Sequence, residues 1–157
     1  MVAASKGVTL IELMIVIAII GVSAAALIPL GTSWVAKTQV DKTQKLLVEA
    51  YSKAVTEAIK NPNGIRQTDT DSMVAKLTVA NGSGGAEGVI NVKASDDSTV
   101  LWSAKYPAAV SIALNASSST CTALELNNNA ARISTTCTGG YTISRSGVSN
   151  VTVTAQF

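Results

Sequence analysis

The hydrophobic pattern of the chain changes twice. Residues 13–30 are apolar except at Gly21, Ser23 and Pro29. An apolar run with no polar face needs an apolar environment on every side. At Trp34 the pattern becomes amphipathic, and no strong helix stop appears before Asn61, Pro62, Asn63 and Gly64. One helix over residues 8–60 is therefore expected, weakened at Gly21 and at Pro29, which supplies no amide and crowds the preceding turn. In its second half Leu47, Ala50, Tyr51, Ala54, Val55, Ala58 and Ile59 recur at three- and four-residue spacing, a stripe suited to packing on a head domain. On another face Lys37, Asp41, Lys45, Glu49, Lys53 and Glu57 form a ladder of alternating sign at spacing four. Each such pair contributes only about 0.2–0.5 kcal/mol, so the ladder reads as a wet face or as a contact with another subunit.

Beyond residue 64 the period shortens. Strands are expected at 74–79, 89–92 and 99–102, and where Val110, Ile112 and Leu114 alternate, with a glycine-rich turn over 81–88. Residues 117–120 read as the cap of a short helix holding Cys121, Leu124 and Leu126, stopped by Asn127, Asn128 and Asn129. A terminal hairpin follows, with Gly139 and Gly140 ahead of 141–144 and Gly147 ahead of the last strand. There Val151, Val153, Ala155 and Phe157 alternate with Thr152, Thr154 and Gln156. The pattern is α+β: a long N-terminal helix, apolar over 8–33 and amphipathic over 34–60, packed on a small antiparallel β-sheet head over 61–157.

The chain has 157 residues, enough for one head once the helix is set aside. Its net charge of +2 indicates neither a nucleic-acid binder nor a strongly basic membrane-surface protein. Histidine is absent, so triads built on an imidazole base are excluded and no enzyme is expected. No cofactor or metal is called for. The aromatic residues are scattered among few basic ones, which favours packing over base stacking and leaves DNA as a partner without support. Cys121 and Cys137 read as one disulfide in an exported chain, and their spacing fits no zinc pattern. Asn81, Asn115 and Asn150 head the bare N-glycosylation pattern, which chance supplies in so Asn/Ser/Thr-rich a chain.

The chemistry is concentrated in Lys6, Gly7, Val8, Thr9, Leu10, Ile11 and Glu12, just ahead of the apolar run. A carboxylate near the centre of a spanning helix costs about 2.5–3.5 kcal/mol. Cleavage between Gly7 and Val8 would create an α-ammonium about one turn from Glu12. Among parallel helices, Glu12 of one subunit would neutralise Val8 of the next and set the register.

These residues resemble the signature of the type IV pilin family, which includes the pseudopilins, and most closely its short-leader class, in which many members carry a proline where Pro29 stands. The resemblance implies an N-terminal leader over 1–7, removed after Gly7 by an inner-membrane prepilin peptidase that also methylates the nitrogen of Val8. It implies Glu12 and Pro29 as assembly residues, and a Cys121–Cys137 disulfide bounding an exposed segment over 122–136. The expected role is a filament subunit serving adhesion, twitching motility or DNA uptake. Its partners would be copies of itself in a helical filament, the prepilin peptidase, and an inner-membrane platform with its ATPase. It would lie in the inner membrane before assembly and in an extracellular pilus afterwards. A minor pilin or a type II secretion pseudopilin is the alternative within the family. The rival outside it is a soluble periplasmic binding or adhesion module released by signal peptidase near Ala26.

Overall fold

The computed structural model describes residues 7–66, 68, 69, 71–116, 121–133, 137–147 and 150–157, without the side chains of 26–30 and 116. Helix α1 runs over Leu10–Lys60, 51 residues, or about 77 Å at 1.5 Å per residue. It continues through 26–30, so the single chain shows no helix break at Pro29. Its end is set by Asn61, left-handed at φ 45° and ψ 60°, whose N–H bonds the carbonyls of Glu57 and Ala58. The Asn61 side chain then brackets the next turn, accepting from Ile65 N at 2.9 Å and donating to Ile65 O at 2.7 Å. Asparagine tolerates this backbone better than most residues because its short amide bonds locally.

Among the described residues seven strands follow: β1 Ala75–Ala80, β2 Gly88–Ala94, β3 Val100–Tyr106, β4 Val110–Ala116, β5 Ala123–Leu126, β6 Cys137–Arg145 and β7 Val151–Gln156. All pairings are antiparallel, but they fall into two sheets rather than one, ordered β3-β2-β1-β5 and β4-β6-β7. The short helix expected around Cys121, Leu124 and Leu126 is a strand instead, because β5 pairs with β1 through Leu77↔Leu124 and Ala75↔Leu126. Gly139 and Gly140 lie inside β6 rather than ahead of it. The last strand alternates half-buried and exposed residues as its sequence requires.

Alanine lets the sheets approach α1 closely. Ala36, Val40, Leu47, Ala50, Ala54 and Ala58 are fully buried, the last five in one core with Leu77, Ile90, Val92, Val110, Ile112, Leu124, Leu126 and Ile143. Ile59, at the margin of the predicted stripe, is exposed instead. Besides the isolated bridge between Leu114 of β4 and Cys121, two links join the two sheets of the head. Cys121, next to β5, is bonded to Cys137, the first residue of β6. Asn81, just after β1, acts as a strand partner for β4, with Oδ1 accepting from Ile112 N at 2.8 Å and Nδ2 donating to Ile112 O at 2.9 Å. The buried Tyr106 hydroxyl donates to the same Oδ1 at 2.7 Å, and burial pushes its pKa up to about 12, which keeps the donor protonated. Tyr106 leaves no room for a side chain at Gly88, where a Cβ would come within 2.1 Å of its ring.

The C-terminal strand is locked to the helix by aromatic contacts. Phe157 stacks on Tyr51 of α1 at 4.5 Å and meets Tyr141 of β6 at 4.8 Å. Such pairs stabilise by about 0.5–1.5 kcal/mol beyond their buried area. On the outer face of the first sheet, Asp97 bonds Lys76 at 3.0 Å and Lys93 at 3.3 Å, and Lys76 also reaches Glu125 at 3.4 Å. These hydrogen bonds, with Lys76 first, hold the Asp97 carboxyl below its usual range.

Candidate processing and assembly site

The site lies at the start of α1. Gly7, Val8 and Thr9 are exposed and outside the helix, and Leu10 is the first helical residue. The helix starts there because Thr9, extended at φ −77° and ψ 151°, caps it. Its hydroxyl accepts from Glu12 N at 3.3 Å and donates to Glu12 Oε2 at 3.2 Å, while Thr9 N donates to the same oxygen at 3.3 Å. This is a reciprocal capping box, in which two amides with no intrahelical acceptor are both satisfied.

Glu12 thus has a partner within its own chain, which reading it only as half of an intersubunit charge pair overlooks. The signal was available in Thr9-Leu10-Ile11-Glu12, a threonine with a glutamate three residues on ahead of an apolar run. The box uses only Oε2. Among the described residues Glu12 Oε1 has no partner, so a cation from outside the chain can bind without breaking the cap. Val8, immediately before Thr9, is the position where a new ammonium would stand after cleavage.

Beyond the box the helix is apolar on every side, and among the described residues nothing covers it. From Leu10 to Ile20 its large apolar side chains expose between 49% (Val16) and 77% (Leu10) of their surface. Gly21 and Gly31 have open space where a Cβ would be. The Pro29 side chain lies outside the described residues, as does the leader before Gly7. Among the described residues no helix is long and apolar enough to cross a membrane. The described side chains of the run end at residue 25, and a crossing takes about 20 apolar residues.

The ladder of alternating charge is exposed as expected from Lys37 to Lys53, with Glu57 half-buried. Asp41, Lys45 and Glu49 line a shallow cleft of about 580 Å³ with Gln44 and Val48. Among the described residues the ladder's one ion pair is Glu57 with Lys60 at 3.7 Å. The other rungs stand free for solvent or a neighbour.

The segment between the cysteines is only partly exposed. Leu124, Leu126 and Asn127 are buried, and Asn127 Oδ1 accepts from the amides of Asn129 and Ala131 to form a turn. Asn128 Nδ2 ties that turn to the carbonyls of Ile65 and Arg66. Residues 117–120 and 134–136, which the helix cap and the end of this segment were expected to occupy, lie outside the described residues. Of the glycosylation-pattern asparagines, Asn81 is committed to Ile112, and Asn115 Oδ1 accepts from Thr142 at 3.2 Å. Asn150 is exposed. Trp34, for which packing in the core or at an interface is expected, is 70% exposed in the single chain, which leaves it out of the core.

Comparison with known proteins points to the same end of the chain. Residues 3–28 match the family model described as the prokaryotic N-terminal methylation motif. The chain is 42% identical over 88 residues to the type IV major pilin protein PilE1 of Neisseria gonorrhoeae, covering 49% of this chain and 41% of that one. It is 44% identical over 73 residues to a fimbrial protein of Neisseria meningitidis, covering 46% of this chain and 42% of the relative. With a fimbrial protein of Pseudomonas aeruginosa it shares 39% identity over 103 residues, 62% of this chain and 65% of the relative. The chain thus spans about two fifths of the length of the first two relatives and just under two thirds of the third. No solved structure matches it.

Proposed function

We propose that this chain, which carries the N-terminal methylation motif of prokaryotic pilins and has type IV pilins and fimbrial proteins as relatives, is a structural subunit of a type IV pilus. One observation carries the reading: a well-packed head is attached to a helix whose first half is apolar all round and, among the described residues, uncovered. A water-soluble binding module has no use for such a segment. Burying one Leu, Ile or Val side chain is worth about 1.5–3 kcal/mol, so many of them on one helix dominate its association with lipid or with copies of itself.

Processing follows from the local backbone. Gly7 and Val8 precede the capped first turn as exposed, non-helical chain, the form a protease can enter. Cleavage after Gly7 frees the Val8 nitrogen for methylation and leaves a cation ahead of Thr9. In a bundle of parallel helices that cation from one subunit is taken by Glu12 Oε1 of the next while Oε2 keeps its cap. The pair fixes register, and the apolar faces supply most of the association energy. Pro29 has no amide to give, which makes its turn the place where the helix yields most cheaply when subunits stack.

In this reading the subunit waits in the inner membrane, an ATPase-driven platform extracts it, and it ends in an extracellular fibre. The charged ladder and its cleft form the contact between neighbours outside the apolar core. The relatives named as a major pilin and as fimbrial proteins favour a filament-building subunit. Immunogold electron microscopy with an antibody to the head tests this. Labelled fibres on cells, lost when the gene is deleted, are expected; label confined to soluble periplasm would overturn it.

A further inference from the structure

The exposed indole of Trp34 has no role in the core, the cap or the ladder. Its position along α1 is informative. From Leu10 to Leu30 the helix rises about 30 Å, which matches the hydrocarbon thickness of a bilayer. Trp34 lies about 6 Å further on, and the headgroup layer adds about 5–7 Å on each side of the hydrocarbon. Ala36, where the buried stripe of α1 begins, lies about 9 Å beyond Leu30, just outside that layer. Its direction is informative too. Trp34 and Ala36 are two positions apart, a rotation of about 200°, so the indole points away from the face the head covers. That explains its 70% exposure. The exposed Lys37 follows one turn later on the same side.

We propose that Trp34 is an interfacial anchor that sits in the phospholipid headgroup layer and fixes the depth at which the unassembled subunit is held. Indole suits this layer because its ring is apolar while its N–H still finds an acceptor, and Lys37 can extend toward lipid phosphate. The anchor sets the head at the membrane surface with the ladder from Asp41 onward clear of lipid, where a neighbour can reach it. This rests on the membrane-held reading above and goes beyond it by naming the residue that sets the depth.

The test is tryptophan fluorescence of the full chain in phosphatylethanolamine/phosphatidylglycerol vesicles containing lipids brominated at different depths. Trp102→Phe leaves Trp34 as the single indole. The difference between the unaltered chain and Trp34→Phe isolates the same signal should Trp102→Phe disturb the head. The expected result is a blue-shifted Trp34 emission, quenched several-fold more by lipids brominated near the headgroup than by those brominated near the chain end. Vesicle-bound protein whose Trp34 emits as in water and resists every brominated lipid would overturn the anchor while leaving membrane insertion standing. Strongest quenching from the chain end, or a blue shift that grows with protein concentration without lipid quenching, would also overturn it, by placing the indole in hydrocarbon or against a second copy. Protein that fails to float with vesicles would remove the membrane-held reading itself, and the anchor with it.

Discussion

Glu12 is asked to do two things, cap its own helix and pair with a neighbour's new N-terminus, and two substitutions separate them. Glu12→Gln keeps the capping box, since glutamine serves at that position as well as glutamate, and removes the charge. Thr9→Ala does the reverse: the hydroxyl that holds both Glu12 N and Oε2 is lost, while the carboxylate stays. Loss of a threonine cap costs about 1 kcal/mol, which frays the first turn by roughly fivefold. Loss of the charge removes from each subunit an attraction of up to about 4 kcal/mol, for unit charges at 4 Å with an effective dielectric near 20. That is close to three decades in an association constant, repeated at every subunit added. The assay is the yield of sheared surface fibres against processed subunit remaining in the membrane, both by immunoblot. Glu12→Gln is expected to be processed and to lose nearly all fibre. Thr9→Ala should be processed and retain a substantial fraction. Wild-type fibre yield from Glu12→Gln would refute the charge pair. An equal loss from Thr9→Ala would show that assembly needs the cap as much as the charge.

Three further outcomes test the head. Asn81→Ala removes both bonds to Ile112 and the nearer of the two acceptors of the buried Tyr106 hydroxyl, leaving it Ala80 O at 3.2 Å, and is expected to destabilise by about 1–3 kcal/mol in urea melts; an unchanged midpoint would mean that the two sheets do not depend on this clamp. Opening the Cys121–Cys137 bond, whose ends are 16 residues apart, should cost about 3 kcal/mol through lost loop-closure entropy, read as a lower urea midpoint under reducing conditions. Asp97, held below its usual range by Lys76 and Lys93, favours the folded head above the ordinary carboxylate value of about 4. That contribution fades as pH falls through its depressed value. Asp97→Asn, which suits the left-handed backbone at φ 56°, should flatten this part of the acid-unfolding profile; a profile identical to the unaltered chain would contradict it.

The sequence pattern marks the helix and its stop because a long periodic run and Asn61-Pro62-Asn63-Gly64 act locally. Strands β1 to β4 and β7 are legible from alternation for the same reason. The segment around Leu124 is not, because apolar residues at 121, 124 and 126 fit a helix turn and a strand alike, and pairing with β1 decides between them. Nor is the division into two sheets, which depends on tertiary partners such as Asn81 with Ile112, 31 residues apart. Ile59 fits the apolar stripe by spacing yet stands exposed near the helix end, beyond Ala58. At the functional end the residues themselves are visible in sequence. What the structure adds is that Thr9 and Glu12 close on one another and leave one carboxylate oxygen for a partner.

Under the proposed processing the mature protein begins at Val8, and the intact mass and N-terminal sequence of the native protein decide whether it does. A chain lacking the first seven residues, with a methylated nitrogen on Val8, is expected. A native chain beginning at Leu27 would lack the cap, Glu12 and most of the apolar run, and would rule out assembly through this helix.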